Sequence, residues 1–342
     1  MTQQHQAAFL DGVNQPLRVG PTDTPKPGPG ELLIKTAAVA INPIDWKIQG
    51  SGMFIKTWPT ILGLDLAGEV FAVGDGVTAF AKGQRVIAYS QLLPSLNIDR
   101  AAYQEFVIAP QAGVAPLPDS VPYEAGVVLP LAVSTAAAGL FPSPLLGLDT
   151  PSVPPAKKNG KTLLVWGASS SVGATAIQLA VAAGYDVVAT ASRSNFDLVR
   201  GLGAKVVLDY HSSSIVEDLV AELKKGGGFV GAYDAIGLRE TQLPTAQVVH
   251  ELGGGTVAAV LPPIEDGPEN VTIQNVFASS IFLNFGEVGK AVWGDFLPKA
   301  LKTGQLKSAP PYEVVGKGLG SLQAAFDHLK AGVSATKIVV TL

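Results

Sequence analysis

From residue 162 to residue 260 the chain alternates short apolar runs with helix-length segments, and few architectures accept that rhythm. Residues 162–166, 186–190, 205–208, 230–235 and 255–260 read as strands rich in Val, Leu and Ala. Residues 172–183 read as a helix stopped by Gly184, 195–202 as a second stopped by Gly203, and 214–225 as a third. Each strand joined to the next by a helix implies right-handed crossovers, so the segment predicts a parallel sheet covered by helices on both faces.

The first 125 residues have a different texture. Residues 32–39 form a strand candidate after turn signals at Pro25, Pro27, Gly28, Pro29 and Gly30. Further runs follow at 66–73, 85–89 and 104–108, punctuated by Gly68, Gly74 and Gly76. Short strands at this spacing, with abundant Gly and Pro, predict a β-rich, barrel-like unit. Residues 123–140 are rich in Ala, Leu and Val and read as helical; a proline-rich surface loop follows from Pro142 to Pro155. The alternation is expected to end near Leu261. The tail then reads as a helix at 319–331 and an isolated apolar strand at 337–341. An unpaired apolar strand is an aggregation hazard, so it is expected to join the sheet of the first domain.

Composition narrows the chemistry. The 342 residues carry 24 basic and 28 acidic side chains, which leaves no electrostatic footprint for nucleic acid and no polybasic patch for a membrane. Mean hydropathy is +0.31. Apolar runs are read as interrupted before the roughly 18 residues that a spanning helix needs, and the first residues show no apolar signal core. A cytoplasmic protein is therefore expected. There is no cysteine, which removes disulfides, thiolate nucleophiles and cysteine zinc sites. The four histidines, His5, His211, His250 and His328, share no metal-ligand spacing, so no metal site is expected.

The strongest motif is Lys161-Thr-Leu-Leu-Val-Trp-Gly-Ala-Ser-Ser-Ser-Val-Gly173. A buried strand runs into a small-residue turn and a helix starts there. Such a turn lets backbone approach a pyrophosphate, with free amides and a positive dipole end at the helix start. Ser169, Ser170, Ser171 and Val172 are the candidate phosphate contacts. An ordinary strand–turn–helix packed through small residues is the other reading, since Ala168 and Ser170 stand where the dinucleotide fingerprint has its first two glycines. The end of the second strand favours the cofactor. An NAD site carries an acid there for the ribose hydroxyls, whereas this chain has Ser192, Arg193, Ser194 and Asn195. An arginine among hydroxyls suits a 2′-phosphate, and Tyr210 at the end of the third strand adds a phenol. NADPH is therefore the expected cofactor; a solvated loop cation is the plainer reading of Arg193.

Several segments together resemble the medium-chain dehydrogenase/reductase superfamily, in its zinc-free quinone oxidoreductase and enoyl reductase branch. They are Ala40-Ile-Asn-Pro-Ile-Asp-Trp-Lys47, Leu62-Gly-Leu-Asp-Leu-Ala-Gly-Glu-Val70, Gly83-Gln-Arg-Val86, Leu129-Pro-Leu-Ala-Val-Ser-Thr-Ala136 and the 167–173 turn. Residues 192–196, the proline-rich insert and Phe285-Gly-Glu-Val288 are similar to fungal trans-acting enoyl reductases of polyketide synthesis. The resemblance implies an α/β protein with two parts. Residues 1–127 and 304–342 would form a discontinuous GroES-like catalytic domain, and 128–303 a Rossmann domain with a doubly wound parallel sheet. Zinc-dependent relatives carry a Cys and a His as ligands where Asn42 and Leu64 stand here, and residues 85–103 leave no room for their structural-zinc lobe.

The resemblance further places the cofactor in a cleft between the domains. Ile44, Asp45, Trp46 and Lys47 would lie beside the nicotinamide ribose, and Ser134 and Thr135 near its ring or pyrophosphate. Val260, Leu261, Phe285, Gly286 and Lys337 would come from the sheet's carboxyl edges and the returning tail. Asp45 also reads as a helix cap, Trp46 as core and Lys47 as a snorkelling surface cation. Lys47, Tyr103 and bulk water are the candidate proton donors. The implied activity is NADPH-dependent, metal-independent hydride transfer to a carbonyl-conjugated double bond or a quinone. Substrates would be small enones, quinones or acyl thioesters, with a polyketide synthase carrier domain as a further partner. A non-catalytic NADPH-binding protein of the same fold is the alternative.

Overall fold

The five side chains of Thr162–Trp166 are all buried, as expected of a strand covered on both faces. In the computed structural model, which describes residues 3–342, this strand is the centre of a six-stranded, all-parallel sheet. Counted in chain order within the sheet, the strands lie 3-2-1-4-5-6, a doubly wound arrangement. The expected α/β class therefore holds. The order reverses between Thr162–Trp166 and Phe229–Asp234, so the crevice at their carboxyl ends is where such a sheet binds ligands. Leu164, Trp166 and Val188 pack with Leu219 and Leu223 of the helix Ile215–Leu223 and Val248 and Val249 of the helix Arg239–Glu251.

Residues up to Leu131 together with Pro311–Leu342 make one compact unit, and Ala132–Pro310 a second. The first is built on Glu31–Ala40, which pairs antiparallel with Asp65–Val73, Phe106–Pro110 and Lys337–Thr341. The tail strand thus lies beside a strand from the start of the chain, with Val339 opposite Ala40, and runs parallel to Tyr312–Lys317 on its other side. Gln4–Leu10 pairs separately with Leu17–Asp23 and Thr60–Ile61.

Several elements differ from the sequence reading. The parallel sheet continues past Leu261 to a sixth strand, Val271–Asn275; its edge position leaves it half exposed, so its hydrophobic signal is weak. Arg239–Glu251 is helical although Pro244 lies inside it. Residues 123–140 split into Tyr123–Gly126 and Pro130–Leu140. That stretch is also long and apolar enough to cross a membrane by length and composition, contrary to the expectation that no run reaches that length. Most of it is buried within the fold, which accounts for its apolarity.

The turn after the central strand depends on two glycines. Gly167 adopts φ 74°, where a side chain is strained, and a Cβ there would strike Ile236. Gly173, in the first turn of the helix Ser171–Ala182, lies so close to the Gly167 carbonyl that a Cβ would overlap it. Neither obstacle is a flexible side-chain end at Gly173; it is backbone. Gly173→Ala is expected to lower stability by about 1–3 kcal/mol. Urea unfolding of the two proteins measures it, and an unchanged midpoint would show that the turn opens without cost.

Candidate functional site

In the unit built on the parallel sheet, the first turn after the central strand is held by the second strand. Gly167 N–H donates to Thr190 Oγ1 at 3.2 Å and Ala168 N–H to the Thr190 carbonyl at 2.9 Å. Ser170 caps the helix, its hydroxyl accepting the Gly173 N–H at 3.1 Å. The first helical turn, Ser171 and Val172, has no preceding carbonyls for its amides. A turn stripped of side chains at 167 and 173, beside a capped 12-residue helix, fits a dinucleotide pyrophosphate.

The loops after the first three strands converge beside it. Asn195 Nδ2 donates to Ser192 Oγ at 3.0 Å and to Ser169 Oγ at 3.4 Å, and Ser192 and Ser194 hydroxyls lie 3.2 Å apart. Arg193 Nε donates to Asp209 Oδ2 at 2.9 Å. The Tyr210 ring lies over His211, their centroids 4.1 Å apart. An acid is therefore present after all. It comes from the third strand and not the second, and it binds the arginine. Asp209 stands one residue before Tyr210, so the sequence carries the acid directly beside the phenol. Hydrogen bonds from the His211 backbone and ring, with Arg193, hold the Asp209 carboxyl below its ordinary range.

At the switch point, Asp234 ends the fourth strand fully buried. Its Oδ1 accepts the Ile236 and Gly237 amides at 3.0 and 2.9 Å, and its Oδ2 accepts the Thr241 hydroxyl at 2.7 Å. Burial pushes its carboxyl up, and these three donors oppose the shift. The tightened turn sets Ile236 against Gly167 and Gly237 against Leu261, where a Cβ would come 2.7 Å from the Leu261 nitrogen. Val260 N–H donates to the Asp234 carbonyl at 3.2 Å. So Val260 and Leu261 are tied to the same turn as Gly167. Ser134 is buried, its hydroxyl accepting the Trp293 indole N–H at 3.1 Å, while the Thr135 carbonyl accepts the Tyr233 hydroxyl at 2.8 Å. Phe285 and the exposed Gly286 begin the short helix Gly286–Gly289 beyond the sixth strand.

The other unit holds a buried polar cluster that includes Asn42 and lies next in sequence to Leu64. Asp65, with no exposure, accepts Lys337 Nζ at 2.9 Å and Asn42 Nδ2 at 2.8 Å on one oxygen, and the Leu131 N–H at 2.6 Å on the other. Lys337 Nζ also donates to Asn42 Oδ1 at 2.6 Å. The amide of Asn42 is thus committed at both ends, and its neighbour Leu64 is apolar, a donor set that does not fit a zinc ion. Among the described residues no group of three His, Asp or Glu is placed to hold a metal.

The next helix starts from the same residue. Asn42 is the N-cap of Pro43–Ser51, and Asp45, at N3, forms a capping box with it, accepting the Asn42 N–H at 2.7 Å. Asp45 also accepts the Tyr103 hydroxyl at 2.7 Å. Burial pushes the Asp45 carboxyl up to about 7, against the pull of those two hydrogen bonds. Burial and the adjacent Asp45 raise the Tyr103 phenol well above its ordinary value.

Three residues named from the sequence have buried partners of their own. Tyr103, named as a proton donor, is fully buried and spends its hydroxyl on Asp45, which makes it a structural partner. Asp45 is the helix cap. Lys337 is 4% exposed, its ammonium donating to Asp65 and Asn42. Ile44, Trp46 and Lys47 on the same helix remain partly exposed, with Lys47 Nζ and Lys330 Nζ at 5.7 and 6.0 Å from the Trp46 ring centroid.

The family model for the alcohol dehydrogenase GroES-like domain matches residues 28–119, and that for zinc-binding dehydrogenases residues 171–284. A trans-enoyl reductase of Aspergillus japonicus is 42% identical over 95% of this chain and 94% of its own. A mycobacterial quinone oxidoreductase superposes with a TM-score of 0.72 at 27% identity, over 99% of this chain and 100% of that one. A mycobacterial protein complexed with NADPH does so with a TM-score of 0.71, also at 27% identity and the same coverage.

Two outcomes follow from the buried acids. Asp65→Asn strands the Lys337 ammonium in the interior and is expected to cost about 3–5 kcal/mol; adding Lys337→Met should recover part of the loss. Denaturant melts of both variants measure this, and a single variant as stable as the parent would overturn the ion pair's role. Asp45 keeps its proton to about pH 7 in the folded chain but loses it near 3.8 when unfolded. The stability this contributes is complete below pH 4 and is lost as pH rises to 7, with a slope approaching about 1.4 kcal/mol per pH unit. Asp45→Asn should flatten that stretch of the pH–stability curve, and an unchanged slope would exclude Asp45 as its source.

Proposed function

The chain belongs to the medium-chain dehydrogenase/reductase superfamily, in its quinone oxidoreductase and trans-enoyl reductase branch, and from that membership we propose that it is an NADPH-dependent reductase of carbonyl-conjugated double bonds or quinones. That it is an oxidoreductase using a nicotinamide cofactor follows from the family itself. The choice of NADPH is carried by one observation. Arg193 lies between Ser192 and Ser194 in the chain with its Nε on Asp209, the residue before Tyr210, a cationic, hydroxyl-rich corner that suits a 2′-phosphate.

Bound there, NADPH would supply the hydride. The Gly167–Gly173 turn would receive its pyrophosphate on backbone amides and on the hydroxyls of Ser169 and Ser171. Ser192, Arg193, Ser194, Asn195 and Tyr210 would surround the adenosine 2′-phosphate. Val260 and Leu261, fixed by the Asp234 turn, with Ser134, Thr135, Phe285 and Gly286, would shape the space toward the nicotinamide. By the family resemblance, Ile44, Trp46 and Lys47 are the residues proposed for the nicotinamide ribose, with Lys47 as a cation for the acceptor carbonyl. A conjugated carbonyl spreads the charge that hydride addition creates, so hydrogen-bond donors suffice to stabilise it. Of the two side chains considered as proton donors, Lys47 alone keeps access to solvent. The identity to a trans-enoyl reductase supports, within this proposal, an enoyl thioester acceptor presented by a polyketide synthase carrier domain.

NADPH oxidation should be measured with small quinones, enones and acyl thioesters, and cofactor binding by calorimetry. Turnover with an α,β-unsaturated thioester is expected, together with tighter binding of NADPH than of NADH. Arg193→Ala should cost about 1.5–3 kcal/mol of NADPH binding and little for NADH. Tight NADPH binding without turnover of any acceptor would overturn the activity, and equal losses for both cofactors would overturn the role of Arg193.

A further inference from the structure

We infer that Asp209 is a specificity-determining residue of the cofactor site, because it holds Arg193 through Nε alone and leaves the guanidinium's outer edge for the adenosine 2′-phosphate. The inference rests on the NADPH reading above. Its support is the division of labour on one carboxylate. Oδ1 accepts the His211 N–H at 3.1 Å and His211 Nδ1 at 2.8 Å, so it is fixed by its own strand end. Oδ2 is left to Arg193 Nε at 2.9 Å. The carboxylate is largely shielded while the arginine is 82% exposed. An arginine so exposed samples many rotamers, and one hydrogen bond at Nε selects those that extend both terminal nitrogens past the acid.

A guanidinium binds phosphate best through two parallel N–H groups, and the Nη pair is such an edge. Holding it in place beforehand reduces the ordering that a phosphate would otherwise impose on binding. An ion pair this exposed adds little to folding, so orientation is the effect left for it to have. The adjacent carboxylate opposes an approaching phosphate by its charge. Engagement with Arg193 and His211 compensates that charge, and it also disfavours a second use of Asp209, as an acceptor for the ribose hydroxyls of NADH. An acid in this corner would then strengthen NADPH selectivity where its isolated charge would weaken it.

Calorimetric titration of the full chain with adenosine 2′,5′-bisphosphate and with AMP tests this without turnover, and NADPH and NADH extend it. Asp209→Asn is expected to weaken the bisphosphate and NADPH by about five- to tenfold, with AMP and NADH within about twofold, and to melt close to the parent. Asp209→Ser should behave alike. In the Arg193→Ala background, Asp209→Asn should have no further effect. If the parent prefers NADPH but Asp209→Asn binds it as tightly or more tightly, the orienting role is overturned and the NADPH reading stands. A loss that persists without Arg193 overturns it equally. If the parent prefers NADH and Asp209→Asn loses NADH, the 2′-phosphate reading itself fails, and Asp209 is an acid for the ribose.

Discussion

The carboxylate of Asp65 joins three segments that are far apart along the chain. Asn42 begins the helix that carries Ile44 to Lys47, Lys337 opens the last strand, and Leu131 stands in the first turn of the helix Pro130–Leu140; all three donate to it. Removing a charge from water is costly, and it is sustainable only when an opposite charge and enough hydrogen bonds surround it. Asp65 and Lys337 meet that condition together and neither does so alone. The tail strand therefore has a chemical reason to lie beside Glu31–Ala40, in addition to the apolar burial of Ile338, Val339 and Val340.

The same cluster shows how one substitution pattern propagates. With asparagine at position 42, the side chain has both a donor and an acceptor, and it bridges Asp65 and Lys337. The first turn of its helix is closed by Asp45, which accepts the Asn42 N–H and, buried, also accepts the Tyr103 hydroxyl. Tyr103 is covered in turn by Gly63, which has no room for a Cβ against the phenol ring, and by an edge contact with Phe326. Burial and the adjacent acid together raise the phenol above its ordinary value, so the hydroxyl that satisfies Asp45 holds its proton tightly.

Buried or shielded carboxylates organise the second unit in the same manner. Asp234 gathers two amides and a hydroxyl to set the turn that floors Gly167, and Asp209 gathers His211 and Arg193 beside the serines. In each case the acid lies at the carboxyl end of a parallel strand, where the sheet's edge leaves backbone donors without partners. The geometry of the cofactor corner is thus set by polar groups one residue or a few residues away from those expected to touch the ligand.

What the sequence determined by itself was everything with a short range. The alternation of strand and helix, the glycine turn after Thr162–Trp166 and the β-rich start were legible because each is a periodicity or a turn preference expressed within a few residues. Ser192, Arg193 and Tyr210 could be gathered into one pocket because strand ends in such a sheet are adjacent by topology. Tertiary structure decided the rest. Lys337 and Asp65 are separated by 272 positions, Tyr103 and Asp45 by 58, and Arg193 and Asp209 by 16, and nothing local in either partner announces the other. The weak edge strand Val271–Asn275 and the helix around Pro244 likewise needed neighbours to exist. A buried charge is specified by the partner that neutralises it, and that partner is fixed only once the chain has folded back on itself.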